Sequence, residues 1–308
     1  MFIKKTNMNL ILFLILNAIT GGLGRLSRPA ALRLARGLGW IYGSVIRYRR
    51  SEAVAALHRS LPERSENERR RILDAMYRNF AINYIEVLRL AGGADDDLSQ
   101  LITIEGQEIV QGVLRRGKGA LMLTAHLGNF DLLAIFTAQR GYPLTIISKE
   151  IKNPAVNRLW MRLRERYGVK IVLSHDSMRG CFKALKGGGL LGFILDQNRP
   201  HDQGVFVTFF GWPACTTPGL AFISAVTQTP VLPVFIHRTS DGRHHLRVLP
   251  AIEPPAARGE DDLRRATQQY TTIIEQEVRR HPDQWIWIHL RWKTQPKPGD
   301  KIATPTDG

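Results

Sequence analysis

His126 and Asp131 are the residues whose types and spacing offer chemistry most directly. They lie in Ala120–Leu133, ALMLTAHLGNFDLL, a histidine followed five positions later by a carboxylate. Ala120–Leu123 is a short apolar run after Gly117-Lys118-Gly119 and leads into Thr124-Ala125, the setting of a buried strand. Gly128-Asn129 supply a turn whose asparagine can also cap a helix. Asp131 would then occupy the first turn of a helix bearing Leu132, Leu133, Ile135 and Phe136. A carboxylate there could hold the imidazole in one tautomer and leave its other nitrogen free as a base. That is the half-site needed to strip a proton from a hydroxyl before it attacks an acyl carbonyl. The same pattern also fits a surface histidine followed by an acid stabilised at a helix N-terminus.

The elements that would position this pair alternate. Ile102–Ile104, Ala120–Ala125, Leu144–Ser148, Val169–Leu173, Leu190–Leu195, Val231–Ile236 and His245–Leu249 read as strands. Between them, Gln107–Arg116, Asn129–Arg140, a helix from Asn153-Pro154 to about Tyr167, and Met178–Lys186 read as helices, with a last helix over Asp261–Arg280. The alternation predicts an α/β fold with a largely parallel sheet flanked by helices. Three polar groups then fall at carboxyl ends of strands: His126, Ser148-Lys149 and Asp196-Gln197. In open α/β sheets that edge is where ligands bind.

The 308-residue chain is long enough for one large core or a core with an appendage, and it carries a formal charge of +16. Such a balance calls for an anionic partner. Residues 1–50 hold nine Lys/Arg and no acid, beside the most apolar stretch of the chain, which favours an anionic membrane surface over nucleic acid. The two cysteines, Cys181 and Cys215, exclude a disulfide framework, and no metal-ligand spacing is present. His244-His245 has no partner motif for a metal.

Thr6–Gly24 contains 19 residues without a charge, interrupted by Asn9 and Asn17, close to the length a spanning helix needs. Lys4 and Lys5 precede it, with no small-x-small cleavage site behind, so it reads as an uncleaved anchor, spanning or partly inserted. A helix over 29–46, with Ser27 and Pro29 at its start, repeats Ala31, Leu34, Leu38, Ile41 and Val45 at helical spacing. That stripe suits a lipid surface or a protein core equally. Arg47–Arg50 and Arg69–Arg71 are basic clusters, and Ser65 with Glu68 forms a capping box opening a long helix through Val87. The resulting division is an N-terminal membrane anchor (1–26), a helical juxtamembrane region packed on the core (27–100), a catalytic α/β core (101–295) and a polar tail (296–308).

TAHLGNFDLLA, KNPAVNRL, DQNRPHDQGVFVTFFGWPACTTPGLAFISAVTQTPVLPVF and WIWIHLRWKTQP occur in one order. Together they resemble the bacterial lipid A biosynthesis acyltransferases, the lauroyl and myristoyl transferases, over nearly the whole chain to Lys293. The resemblance implies a glycerolipid-acyltransferase-like fold with an N-terminal hydrophobic anchor helix at the bacterial inner membrane, its catalytic domain on the cytoplasmic face. It implies transfer of a fatty acyl chain from acyl carrier protein, or acyl-coenzyme A, to a hydroxyl of a membrane glycolipid. His126 would be the general base and Asp131 its orienting partner, with no metal or organic cofactor.

The family commonly has glutamate within N-W-E where this chain reads Asn129-Phe130-Asp131, and an arginine in Y-R-P near the position of Lys149. Lysine offers a point charge in place of a planar fork, which leaves open a different acceptor: a lysophospholipid, an ornithine lipid or a glycosylated inositol lipid. Lys149, Asp196, Gln197, Thr216, Thr217 and Arg291 are the substrate-binding candidates. Thr216-Thr217-Pro218-Gly219 could present backbone N–H groups to an anion or merely cap a helix. Phe209-Phe210-Gly211 suits an acyl groove or a core turn, and Trp285 and Trp287 suit the core. A non-catalytic basic membrane-binding protein is the rival from another class, and it predicts salt-dependent binding indifferent to His126.

Overall fold

Short apolar runs in the middle of the chain stack side by side because only a sheet covered on both faces removes them all from water. In the computed structural model, which describes residues 2–173 and 177–305, these runs form the expected α/β layers. Met1, residues 174–176 and the end of the polar tail, 306–308, lie outside the described residues. Four helices come first: α1 (Phe2–Arg25), α2 (Arg28–Trp40, continued by a wider turn over Ile41–Val45), α3 (Arg50–Ser60) and α4 (Glu66–Ala91). The short α5 (Leu98–Leu101) leads into β1 (Ile102–Glu105), α6 (Gln107–Arg115), β2 (Ala120–Thr124), α7 (Phe130–Gln139), β3 (Leu144–Ser148), α8 (Pro154–Arg166) and β4 (Lys170–Leu173). After these come α9 (Ser177–Lys186), β5 (Leu190–Ile194), the hairpin β6 (Val205–Phe209) and β7 (Trp212–Thr216), and α10 (Gly219–Thr227). The chain closes with β8 (Val231–Arg238), β9 (His244–Val248), α11 (Glu260–Arg280) and β10 (Ile302–Ala303).

The main sheet has seven strands in the order β1-β9-β8-β2-β5-β3-β4, parallel at every pairing except β8 with β9. Alternate residues of β2 serve opposite faces. Leu121 and Leu123 pack with Leu191, Phe235, Tyr270 and Trp285 on one side. Met122 packs with Leu132, Phe136, Leu232 and Val234 on the other. The hairpin that sequence reading passed over turns at Phe210 and Gly211, both with positive φ, so Phe209-Phe210-Gly211 is a core turn. A bulky residue in that backbone region is uncommon, which hides the turn from composition. Trp285 and Trp287 are buried as expected.

The N-terminal segment departs from the spanning form of the anchor reading. Among the described residues no helix is long and apolar enough to cross a membrane. Asn9, Asn17, Thr20 and three glycines dilute the apolar run, and one face of α1 is spent on protein. Phe13 packs on Ala155 and Leu159 of α8, with the Arg158 and Arg162 guanidinium groups over its ring, and Leu23 packs against α2 and α4. The opposite face leaves Leu10, Ile11, Leu14, Ile15 and Ile19 exposed. Helix α2 behaves alike: Ala31, Leu32 and Ala35 are buried, while Leu34, Leu38, Ile41 and Val45 of the expected stripe face outward.

Where these helices meet the sheet lies a buried polar cluster. Glu86 of α4 accepts both terminal guanidinium nitrogens of Arg238, each at 2.7 Å, together with Arg28 at 3.3 Å and the Asn129 amide at 3.0 Å. Burial opposes the Glu86 carboxylate, but the Arg238 and His244 charges and their hydrogen bonds hold its pKa far below the ordinary value. Stability from this group is therefore present above about pH 4.3, its unfolded pKa, and is lost as pH falls through the depressed folded value. Replacing Glu86 with alanine leaves Arg238 buried without its counter-charge. A loss of about 3–5 kcal/mol is expected in chemical denaturation. Glu105→Ala, which removes an exposed partner of Arg247 and His245, should leave the denaturation midpoint nearly unchanged.

Candidate active site

Parallel pairing of β2 with β5 sets the site. Thr124 lies opposite Ile194 in the register, so the residues two positions beyond each strand, His126 and Asp196, emerge side by side. Asp196 Oδ1 is 2.7 Å from His126 Nδ1, while Oδ2 accepts the His126 backbone N–H at 2.8 Å and the Trp285 indole N–H at 2.7 Å. With Nδ1–H donating to Asp196, the lone pair on Nε2 faces the Gln197 side-chain amide nitrogen, 3.3 Å away. Burial works against the imidazolium, but the charge and hydrogen bond of Asp196 outweigh it and raise the His126 pKa. The same partners hold Asp196 far below the ordinary carboxylate range against the cost of its own burial.

This geometry corrects the expected partner. Asp131 does sit in the first turn of α7, but its carboxylate accepts from Arg164 of α8 at 2.9 Å, and Arg164 also reaches Ser148 Oγ at 3.1 Å. Asp131 acts on His126 only through its charge, a lesser contribution to the raised pKa. The helix start directs Asp131 toward α8, whereas Asp196 leaves the strand adjacent to β2.

The loop between β2 and α7 is held from both sides. Gly128 has φ +58, and a Cβ there would fall 1.9 Å from the Ile236 carbonyl oxygen, so only glycine fits. Asn83 donates to the Gly128 carbonyl at 2.7 Å, and the Asn129 side chain accepts the Leu132 N–H, capping α7 as its position suggests. His244 belongs to the Glu86 cluster, and His245 contacts Thr103 and Glu105.

His126 opens into a cleft of about 1430 Å³, space open to solvent included, at the carboxyl edge of β2, β5 and β3. Ser148, Lys149 and Gln197 line it, so the three strand-end groups converge. Apolar lining comes from Met122, Leu133, Ala134, Ile146, Phe193 and Ile223, and cationic lining from Lys149, Arg164 and Arg199. Arg164 and Arg199 escaped sequence reading because neither lies at a recognisable strand end or cap.

Two expected binding residues do not reach the cleft. Thr216 and Arg291 are wholly buried. Arg291 donates to Thr216 Oγ1 at 2.5 Å and to the carbonyls of Cys215 and Gln197, tying the β7 end to the Gln197 loop from behind. Its aromatic, C-terminal setting brings it into the core under Phe209. Thr217 does line the cleft, while its hydroxyl accepts the Gly219 N–H at the start of α10.

Residues 4–294 match the family described as bacterial lipid A biosynthesis acyltransferase. The chain belongs to that family. This family member is 26% identical over 272 residues to the lipid A biosynthesis myristoyltransferase of Escherichia coli K12, an alignment covering 87% of this chain and 81% of the relative. It is 26% identical over 284 residues to the lauroyltransferase of the same organism, covering 89% and 88%, and 25% identical over 271 residues to a lipid A biosynthesis acyltransferase of Haemophilus influenzae, covering 88% and 83%. Among solved structures, it aligns with the 1-acyl-sn-glycerophosphate acyltransferase of Thermotoga maritima at 18% identity and a TM-score of 0.39, covering 84% of this chain and 100% of that one. The protein is an acyltransferase.

If His126 must be neutral to take a proton, kcat/KM of this acyltransferase falls on the acid side with an inflection above about pH 6.5, the ordinary histidine value. Asp196→Asn should lower kcat by roughly 10²–10⁴-fold and move that inflection downward, because the amide neither fixes the tautomer nor stabilises the imidazolium. Asp131→Asn should leave the inflection nearly in place. A pH–rate series on the three proteins checks both expectations.

Proposed function

We propose that this protein moves a fatty acyl chain from a thioester to a hydroxyl of a lipid A precursor at a membrane surface, with His126 as general base and Asp196 holding it. The observation that carries this reading is an imidazole with one nitrogen bound to a buried carboxylate and the other, held only by a long hydrogen bond from the Gln197 amide, facing a cleft that combines apolar walls with cationic residues. His126 Nε2 removes the acceptor proton as the hydroxyl oxygen attacks the thioester carbonyl. The C–S bond then breaks, and the imidazolium returns its proton to the departing thiolate. The Gln197 amide, already beside Nε2, is the donor for the oxyanion of the tetrahedral intermediate. Asp131 serves by setting Arg164 at the cleft.

The names of the relatives supply lipid A as the acceptor pathway, and Lys149 and Arg199 suit an anionic acceptor or the phosphate-bearing arm of acyl carrier protein or acyl-coenzyme A. The basic clusters contribute less to docking than their number implies. Arg50 pairs with Asp74 at 2.8 Å, Arg49 donates to the Ile288 carbonyl, and Arg69 donates to the Leu61 carbonyl. The outward apolar faces of α1 and α2, with Arg25, Arg33, Arg36 and Arg47 exposed beside them, suit a helix pair lying in the lipid interface in place of a span.

Mass spectrometry of total lipids from cells with and without the gene tests the reaction. Loss of one acyl chain from lipid A, restored by wild type and not by His126→Ala, is the expected result. A different lipid losing a chain keeps the chemistry and moves the acceptor; full restoration by His126→Ala sinks the mechanism. Replacing Leu14 and Leu38 with glutamate should weaken flotation with anionic vesicles by at least about tenfold, since each removes an apolar side chain from the interface.

A further inference from the structure

One row of residues crosses the sheet beneath the cleft. Leu232 of β8, Met122 of β2, Gly192 of β5 and Ile146 of β3 are successive partners in the parallel register. They do not present an even surface. Gly192 has no side chain, and a Cβ built on it would meet Ile146 Cγ2 at 3.2 Å and Met122 Cε at 3.5 Å. The cleft reaches down into this gap, with Met122, Gly192 and Ile146 among its lining residues.

A second cavity lies across Met122 on the same face of the sheet. It spans about 420 Å³, space open to solvent included, between β8, β9, α6 and α7 and is lined by Val110, Phe136, Leu190, Leu232, Val234 and Leu246 among others. Its lining is almost entirely apolar, and nothing in the proposed reaction uses it. Met122 borders both spaces. The methionine is a flexible, unbranched partition, the kind of side chain that fills an irregular gap without a fixed shape.

Met122, Thr124 and His126 alternate onto one face of β2 and its extension. From the base to the partition is about 13 Å, four residues at ~3.3 Å each, the extended length of a chain of roughly ten carbons. We propose that Met122 is the stop that sets the length of the transferred acyl chain, and that the apolar cavity behind it is a reserve of chain-binding space this side chain closes. The proposal rests on the reading of the cleft as the site of acyl transfer. It assigns the terminal methyl end of the donor chain to the gap over Gly192. The apolar lining on the other face of the sheet, around Phe193 and Ile223, is left to other parts of the substrates.

Two substitutions act in opposite directions. Met122→Ala joins the two spaces and should shift the product toward longer chains. Gly192→Ala, which places a methyl group against Ile146 and Met122, should shift it toward shorter ones. Each shift is expected to be about tenfold in the ratio of long to medium chains, the worth of roughly two buried methylenes.

The purified full-length protein would be given a mixed pool of saturated, even-numbered acyl thioesters with a lipid A precursor, and the acyl chains on the product weighed by mass spectrometry. Where a variant turns over slowly, calorimetric Kd values for a medium-chain and a long-chain acyl-coenzyme A give the same ratio. Opposite shifts in the two variants support the stop. An unchanged distribution in either variant, with wild-type transfer still dependent on His126, overturns it and leaves the catalytic reading standing. Transfer that survives His126→Ala undamaged removes the catalytic reading itself, whatever the chain lengths show.

Discussion

A carboxylate stripped of water must be met by donors, and the Asp196 carboxylate is met by three: the His126 backbone, the His126 ring and the Trp285 indole. The surrounding architecture serves this junction. Parallel pairing of β2 with β5 brings the first two donors to it, and the segment after α11 folds back to bring the third. A second buried anion, Glu86, acts on the far end of the same loop through Asn129 and, by way of Arg238 and Asn83, Gly128. The five residues from Ala125 to Asn129 are thus clamped between two buried negative charges. Such pairs contribute little net stability against well-packed apolar alternatives. Their effect here is geometric, fixing where one imidazole points.

That clamp holds the His126 ring rigidly at the edge of an open cleft. Arg291, buried behind the Gln197 loop, holds the second strand end as firmly as Glu86 holds the first. Groups in the cleft are held less tightly. Lys149 is exposed, and Gln197 contacts the His126 ring through a long hydrogen bond. In the proposed reaction the groups that would move a proton are preorganised, and those that would meet the substrates are adaptable.

Much of this architecture was legible in the residues. Strand and helix alternation from 102 to 195 matches the fold closely, the Ser65–Glu68 capping box and the Asn153 cap form as read, and the three strand-end groups meet in one cleft. Sequence alone missed the orienting carboxylate because strand order is not a local property. Nothing in the residues says that β5 inserts between β2 and β3, and Asp131, five positions from His126, is the nearer acid in sequence. Asp196 ends an apolar run as His126 nearly does, and that parallel was the available signal. Helix α1 misled in another way. Its uncharged run has almost the length of a membrane span, but burial of Phe13, Thr20 and Leu23 against protein divides it into two faces, which hydropathy averaged along the chain cannot register. Arg291 misled by type, since a motif arginine among aromatics is as readily a buried tie as a ligand.

The donors to Asp196 come from widely separated points, and Trp285 lies near the end of the core. During synthesis the helices at the N-terminus leave the ribosome first, domains being built from that end. His126 and Asp196 follow, but the indole that completes the carboxylate's shell is among the last core residues to emerge. Long-range parallel pairings are also slow to form. The Asp196 carboxylate therefore gains its third donor only when the segment carrying Trp285 has folded back onto the sheet.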